Sequence, residues 1–308
     1  MRRTVNSAVE VAGIGLHGGQ PVRMILVPAV AGTGVHFVRS DVAAGTGDIA
    51  ARYDLVNDTQ LCTRLTNMYG TSVGTVEHVL AALAGTGITD CTIRLNGPEV
   101  PIMDGSSAPF VRAIQQAGVR ELNAPIDAIR ILSPVRFEDG DKWAELVPAR
   151  RFEIEFAIDF SDPAIGRQEH SMSMVNGAFT SELSDCRTFG HLHEVEYLRS
   201  LGLARGGNLQ NAIVVDEGRV LNPGGLRRPD EFVRHKMLDA VGDLSLAGHP
   251  IIGRYRGFKA GHGLTNQLLH QLFSTPDAWA FEPLADGLAP GGRIPSTVDA
   301  SARSQIAV

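Results

Sequence analysis

Hydrophobic and polar positions alternate through residues 9–27, broken by the run Gly13-Ile14-Gly15-Leu16-His17-Gly18-Gly19. This pattern predicts two strands joined by a glycine-rich hairpin. Short strand-like pieces follow at 35–38 and 61–68. At Thr75 the spacing becomes helical: Val76, Val79, Leu80 and Leu83 recur on one face, Thr75 stands as N-cap, and Gly85 marks the end. A strand at 91–95, a turn-rich loop at 96–105 and a helix at 106–118 complete the first half.

The second half repeats that order. Asp139-Gly140 lies in a predicted hairpin spanning 129–147. Phe152, Ile154, Phe156, Ile158 and Phe160 alternate as in a half-buried strand. After another hairpin at 212–221 comes a helix with an apolar stripe of Val233, Met237, Val241 and Leu244. Asp230 is its expected N-cap and Gly248-His249-Pro250 its stop. A strand at 251–258, the loop Gly261-His262-Gly263 and a helix from about Leu264 follow. Residues 177–207 have no counterpart in the first half and include an amphipathic helix at 191–201. The expected fold is α+β, with two duplicated domains, 1–123 and 128–274, packed face to face. A tail at 275–308, rich in Ala, Gly and Pro, is expected to be flexible.

The chemistry concentrates on corresponding helices of the two copies. His235, Asp239 and Asp243 follow one another at steps of four and project from one helical face. The first-half helix opens with Glu77-His78. Face-to-face packing would bring these residues into the cleft between the domains. Two histidines and one carboxylate suit a catalytic zinc ion, because three protein ligands leave a position for water. Glu77 is turned about 100° from His78 around the helix, which keeps it off the metal but within reach of that water. Single histidines are commonly structural, and His36, His170, His249 and His270 are read so. The set points to a metal hydrolase.

Composition excludes several other classes. With 44% hydrophobic and 20% charged residues the chain can form an ordinary soluble core. A net charge of −6 argues against general nucleic-acid binding. No run approaches the length of a transmembrane segment, and residues 4–19 lack the apolar stretch of a signal peptide. Cys62, Cys91 and Cys186 are scattered and odd in number, as in a reducing compartment, so a cytoplasmic protein is expected. Two motifs are decoys. The first glycine run fits G-x-G-x-x-G but leads through Pro21 into a strand instead of a helix. Gly70-Thr71-Ser72-Val73-Gly74 fits a nucleophile elbow, yet Thr66-Asn67-Met68-Tyr69 before it makes a poor buried strand.

Six longer stretches carry a resemblance: Gly-Ile-Gly-Leu-His-Gly-Gly at 13–19, Thr-Val-Glu-His-Val-Leu-Ala-Ala-Leu at 75–83, Pro-Ile-Met-Asp-Gly-Ser-Ser-Ala-Pro-Phe at 101–110, Arg-Thr-Phe-Gly at 187–190, Phe-Val-Arg-His-Lys-Met-Leu-Asp-Ala at 232–240 and Gly-His-Gly-Leu at 261–264. In these the chain resembles the UDP-3-O-acyl-N-acetylglucosamine deacetylase family, zinc amidases of bacterial lipid A synthesis. The resemblance implies two βααβ-type domains with one Zn²⁺ between them, held by His78, His235 and Asp239. It makes Glu77 the general base and His262, kept protonated by Asp243, the general acid for the departing sugar amine. Thr188 and Lys236 would stabilise the oxyanion. Val195, Ala204, Ala212 and Val214 would line an acyl-chain passage with Phe189 near its entrance. Lys142, Asp159, Phe160 and Lys259 match contacts to uridine or diphosphate; Leu61 and Cys62 are expected to bind substrate, Cys62 matching a family cysteine near the metal. His191 departs from the family's usual aromatic apolar residue.

The implied reaction converts acylated UDP-N-acetylglucosamine to the glucosamine and acetate, carried out by a monomer without nucleic acid. Two alternatives stand beside it: an amidase for another N-acetyl sugar nucleotide, and a non-catalytic lipid-nucleotide binding module with a structural metal. A structural site has no use for Glu77 beside an open metal position.

Overall fold

Two five-stranded sheets frame the molecule, described for residues 1–285 in a computed structural model. The first contains β1 (Val9–Ile14), β2 (Pro21–Pro28), β3 (Val35–Arg39), β4 (Asp48–Ala50) and β5 (Cys91–Leu95), in the order β1-β2-β5-β3-β4. The second contains β6 (Val135–Asp139), β7 (Lys142–Val147), β8 (Glu153–Asp159), β9 (Arg167–Ser173) and β10 (Arg254–Phe258), in the order β6-β7-β10-β8-β9. The two orders are the same. In each sheet the last strand enters between two hairpins, antiparallel to one neighbour and parallel to the other.

Five helices accompany these sheets among the described residues: α1 (Glu77–Thr86), α2 (Ala108–Ala117), α3 (Leu192–Ser200), α4 (Glu231–Ser245) and α5 (His262–Phe273). Helix α2 packs on β1, while α4 and α5 cover the second sheet. Helix α1 lies between α2 and α4. Its Val79, Leu80, Ala81, Ala82 and Leu83 are therefore all buried, well beyond the single face that the sequence spacing predicts. On α4 the stripe Val233, Met237, Val241 and Leu244 is buried. Gly242 sets how closely the two helices approach, because a Cβ there would overlap the backbone carbonyl of Glu77. That contact brings the carboxylate-bearing turns of α4 onto the first turn of α1.

Several boundaries differ from expectation. Thr75 does not cap α1: its backbone is left-handed (φ 58°), and its hydroxyl donates to Glu99 Oε1 at 3.0 Å. Asp230 does occupy the N-cap position of α4 as expected, but its carboxylate accepts from the Arg234 side chain at 2.8 Å instead of a helix N–H. The strand expected at 251–258 divides at Gly253, where a Cβ would strike Ile131. Ile251–Ile252 pairs with Asp127–Ile131, and only Arg254–Phe258 joins the large sheet.

The tail does not begin at 275. Trp279–Pro283 pairs antiparallel with Asp127–Ile131, and Trp279 sets its ring edge-on to Phe273 at 5.2 Å. That aromatic anchor outweighs the Ala, Gly and Pro content. The rest of the expected tail, from 286, lies outside the described residues. No helix among the described residues is long and apolar enough to cross a membrane.

Candidate metal centre and active site

The first turn of α1 supplies Glu77 and His78, and successive turns of α4 supply His235, Asp239 and Asp243, all buried. His78 Nε2 and His235 Nε2 lie 3.5 and 3.3 Å from the same Asp239 oxygen, Oδ1. The candidate ligand atoms of the three residues fall within 4.8 Å of one another. A tetrahedral ion with bonds of about 2.0–2.2 Å sets its ligand atoms roughly 3.3–3.6 Å apart, so the two His–Asp separations fit. Asp239 Oδ1 is buried without a hydrogen-bond donor, a costly arrangement for a carboxylate that binds nothing.

The surroundings prepare these ligands. His235 Nδ1 lies 3.1 Å from the Cys186 carbonyl, which fixes the N–H there and leaves Nε2 with its lone pair. Burial pushes the His235 pKa down to about 4 against the opposing pull of Asp239, so the imidazole is neutral and free to ligate. Burial alone would raise the Asp239 pKa. His235 and Lys236 overcome it and hold the carboxyl well below its ordinary range. Lys236 Nζ donates to Asp239 Oδ2 at 2.7 Å, and that carboxylate outweighs burial to keep the lysine charged. Glu77, Asp239 and Asp243 thus face only Lys236 and a protonated His262 within the cluster. A divalent cation would offset the excess negative charge.

On the other side of Glu77 lies an acid–base arrangement. Burial raises the Glu77 pKa, opposed by His262 and His78. Its Oε1 faces His262 Nε2 at 3.9 Å. His262 is the first residue of α5, a position where the helix dipole disfavours a cation. Burial also pushes this imidazole down, but Asp243 Oδ2, 2.8 Å from Nδ1, outweighs it and lifts the pKa to about 9. Burial thus makes Glu77 a stronger base than an ordinary carboxylate, and it faces an imidazole that stays charged through neutral pH. The sequence reading did not anticipate Thr63, which donates its backbone N–H to Glu77 Oε2 at 3.1 Å and its hydroxyl to Asp243 Oδ1 at 2.6 Å.

The remaining expected residues are distributed around this centre. Thr188 follows Cys186 and Arg187, which meet His235 and Glu231 of α4. Its N–H donates to the Gly105 carbonyl and its carbonyl accepts from Ile213 N–H, while Arg187 is clamped on Glu231. Phe189 stands 6.3 Å from the His235 ring and 5.7 Å from Phe160, so three rings lead from the half-exposed Phe160 to the ligands. Lys142, Asp159 and Lys259 sit at the same end of the second sheet as Phe160, with Lys259 Nζ 3.4 Å from Asp159 and 2.9 Å from Asp141. Gly190 pairs with Val214, Val195 lies over Gly190, and Ala212 adjoins that strand. Ala204 is buried next to Arg205 and Gly206, whose N–H groups donate to the His17 and Leu16 carbonyls of the glycine hairpin. Leu61 is exposed, whereas Cys62 is buried with its thiol pushed up to about 12 by burial and by Glu77. His191 stacks on His193 at 5.4 Å and lies 3.7 Å from Asp162.

Residues 2–274 match the family of UDP-3-O-acyl N-acetylglycosamine deacetylases. The UDP-3-O-acyl-N-acetylglucosamine deacetylase of Phenylobacterium zucineum (strain HLK1) is 51% identical over 288 residues, covering 94% of this chain and 98% of the relative. Its counterpart in Idiomarina loihiensis is 52% identical over 282 residues, covering 91% and 92%. That of Shewanella loihica is 49% identical over 280 residues, covering 90% and 91%.

Proposed function

The chain belongs to the UDP-3-O-acyl N-acetylglycosamine deacetylase family, and from that premise we propose how its residues deacetylate UDP-3-O-(3-hydroxyacyl)-N-acetylglucosamine in lipid A synthesis. The products are the free glucosamine and acetate. One zinc ion, held by His78, His235 and Asp239, completes the site. The observation that carries this reading is the proximity of a His-His-Asp group, whose Asp239 Oδ1 has no donor, to a carboxylate and an imidazolium that face each other.

When bound, zinc supplies Lewis acidity that makes water nucleophilic near neutral pH and polarises the amide carbonyl. Glu77 accepts the proton released as water adds to the acetamide carbon. His262 then donates from Nε2 to the sugar nitrogen as the C–N bond breaks, so the amine leaves neutral. Asp243 keeps His262 charged for that donation. The Thr188 hydroxyl is placed in this scheme as an oxyanion donor. Lys236, already engaged by Asp239, contributes charge at a distance. Phe160 offers a face for uracil, Lys142 and Lys259 offer charge for the diphosphate, and the walls at 189–195 and 212–214 receive the acyl chain.

The enzyme is proposed to work in the cytoplasm as a monomer. Its three cysteines are buried and unpaired, and one chain supplies every residue of the site. Acetate release from the acylated substrate, followed before chelation, after chelation and after zinc return, tests the proposal. Loss and recovery of turnover is the expected result. No release by folded, zinc-loaded protein would refute it and favour a binding module.

A further inference from the structure

We infer that Thr63 is a positioning residue that fixes the general base and the general acid with respect to each other. This rests on the deacetylase reading above. Thr63 is buried in the segment before strand Arg64–Thr66 and uses each of its polar groups on the site. Its carbonyl accepts from Val76 N–H at 3.4 Å, directly before Glu77. Its N–H donates to Glu77 Oε2 at 3.1 Å, and its hydroxyl donates to Asp243 Oδ1 at 2.6 Å.

The arithmetic of carboxylate oxygens gives these bonds their consequence. Each carboxylate has two oxygens, and a buried oxygen without a donor is destabilising. Thr63 occupies one oxygen of Glu77, which leaves Oε1 turned to His262 Nε2. It also occupies one oxygen of Asp243, which leaves Oδ2 for His262 Nδ1. Neither carboxylate can rotate without losing a hydrogen bond to this residue. The separation between base and acid is thereby set by one threonine that need not touch substrate. Its backbone governs Glu77 and its side chain governs Asp243, so substitution can address the second link alone.

Thr63→Val keeps shape and backbone and removes only the hydroxyl donor. Outer partners of this kind change activity by about 10- to 100-fold when removed. The expected result for Thr63→Val is a kcat about tenfold lower, KM within about twofold of the parent and unchanged zinc content. Thr63→Ser should restore most of kcat. Protein with ¹⁵N-labelled histidine gives an independent readout, because the Nδ1–H resonance of His262 should move upfield in Thr63→Val as its bond to Asp243 loosens. Parent-like kcat and an unmoved resonance in Thr63→Val would overturn the inference. So would Thr63→Ser impaired as deeply as Thr63→Val, since that outcome assigns the effect to the methyl group. Should the valine variant fail to fold, Thr63→Ala set against Thr63→Ser decides on the same criteria. Failure of the parent protein to release acetate would instead count against the deacetylase reading, and the resonance test would still report on Thr63.

Discussion

Asp239 and Asp243 lie one turn apart on α4, both buried and both facing α1, yet their environments prepare them for opposite tasks. Asp239 has one oxygen bound by Lys236 and the other left without a donor between two imidazole nitrogens. Asp243 has both oxygens filled, one by Thr63 and one by His262. A buried carboxylate with an open oxygen beside two imidazole nitrogens has the environment of a metal ligand. One whose donors are complete can only tune the groups that hold it. Donor saturation, more than burial or helical position, separates the proposed ligand from the proposed supporting residue here.

Breaking the open carboxylate should have the largest effect. Asp239→Ala is expected to lose the metal and all turnover, with metal content read by elemental analysis. If the variant retained stoichiometric metal, the division between the two aspartates would fail. Glu77→Ala comes next: metal stays, and kcat falls by about 10²–10⁴-fold, the usual contribution of a positioned acid or base. Asp243→Asn should retain metal and lower kcat by about 10- to 100-fold. It should also move the basic limb of the rate profile from near pH 9 down toward about 6.5, the ordinary histidine value. The sign follows from the proposed role of His262 as an acid in its protonated form, which a lower pKa depletes sooner as pH rises. The stabilisation from its raised pKa is fully present below about 6.5 and is lost as pH climbs through about 9, so melting temperature should decline less over that window in Asp243→Asn. Phe160→Ala, remote from both carboxylates, should change KM by only a few-fold and leave kcat, metal and pH profile alone, as steady-state kinetics would show.

The sequence made one class of information legible and hid another. Steps of four on α4 announced His235, Asp239 and Asp243, because a helix turns spacing into a shared face. The repeated order of elements placed Glu77-His78 opposite them, and the two sheets do share one strand order. What stayed hidden works largely through backbone atoms. The Cys186 carbonyl orients His235, the His78 carbonyl accepts from Ser107 Oγ, and the Thr63 amide holds Glu77. No residue type signals such a role. The start of α1 was misread for a related reason. Thr75 has the composition of a cap, but its left-handed backbone turns the hydroxyl to Glu99, a partner distant in sequence. Trp279 and Phe281 were likewise obscured by the composition around them.

The connection between Glu121 and Asp127 now acquires a practical meaning. A cut there leaves each five-stranded sheet in one piece, but parts Glu77 and His78 from His235, Asp239, Asp243 and His262. The pieces together would behave as a two-component reporter, with turnover that depends on their concentration. If the proposed zinc ion takes His78 from one piece and His235 and Asp239 from the other, it would lower the concentration at which they join by acting only on the assembled pair.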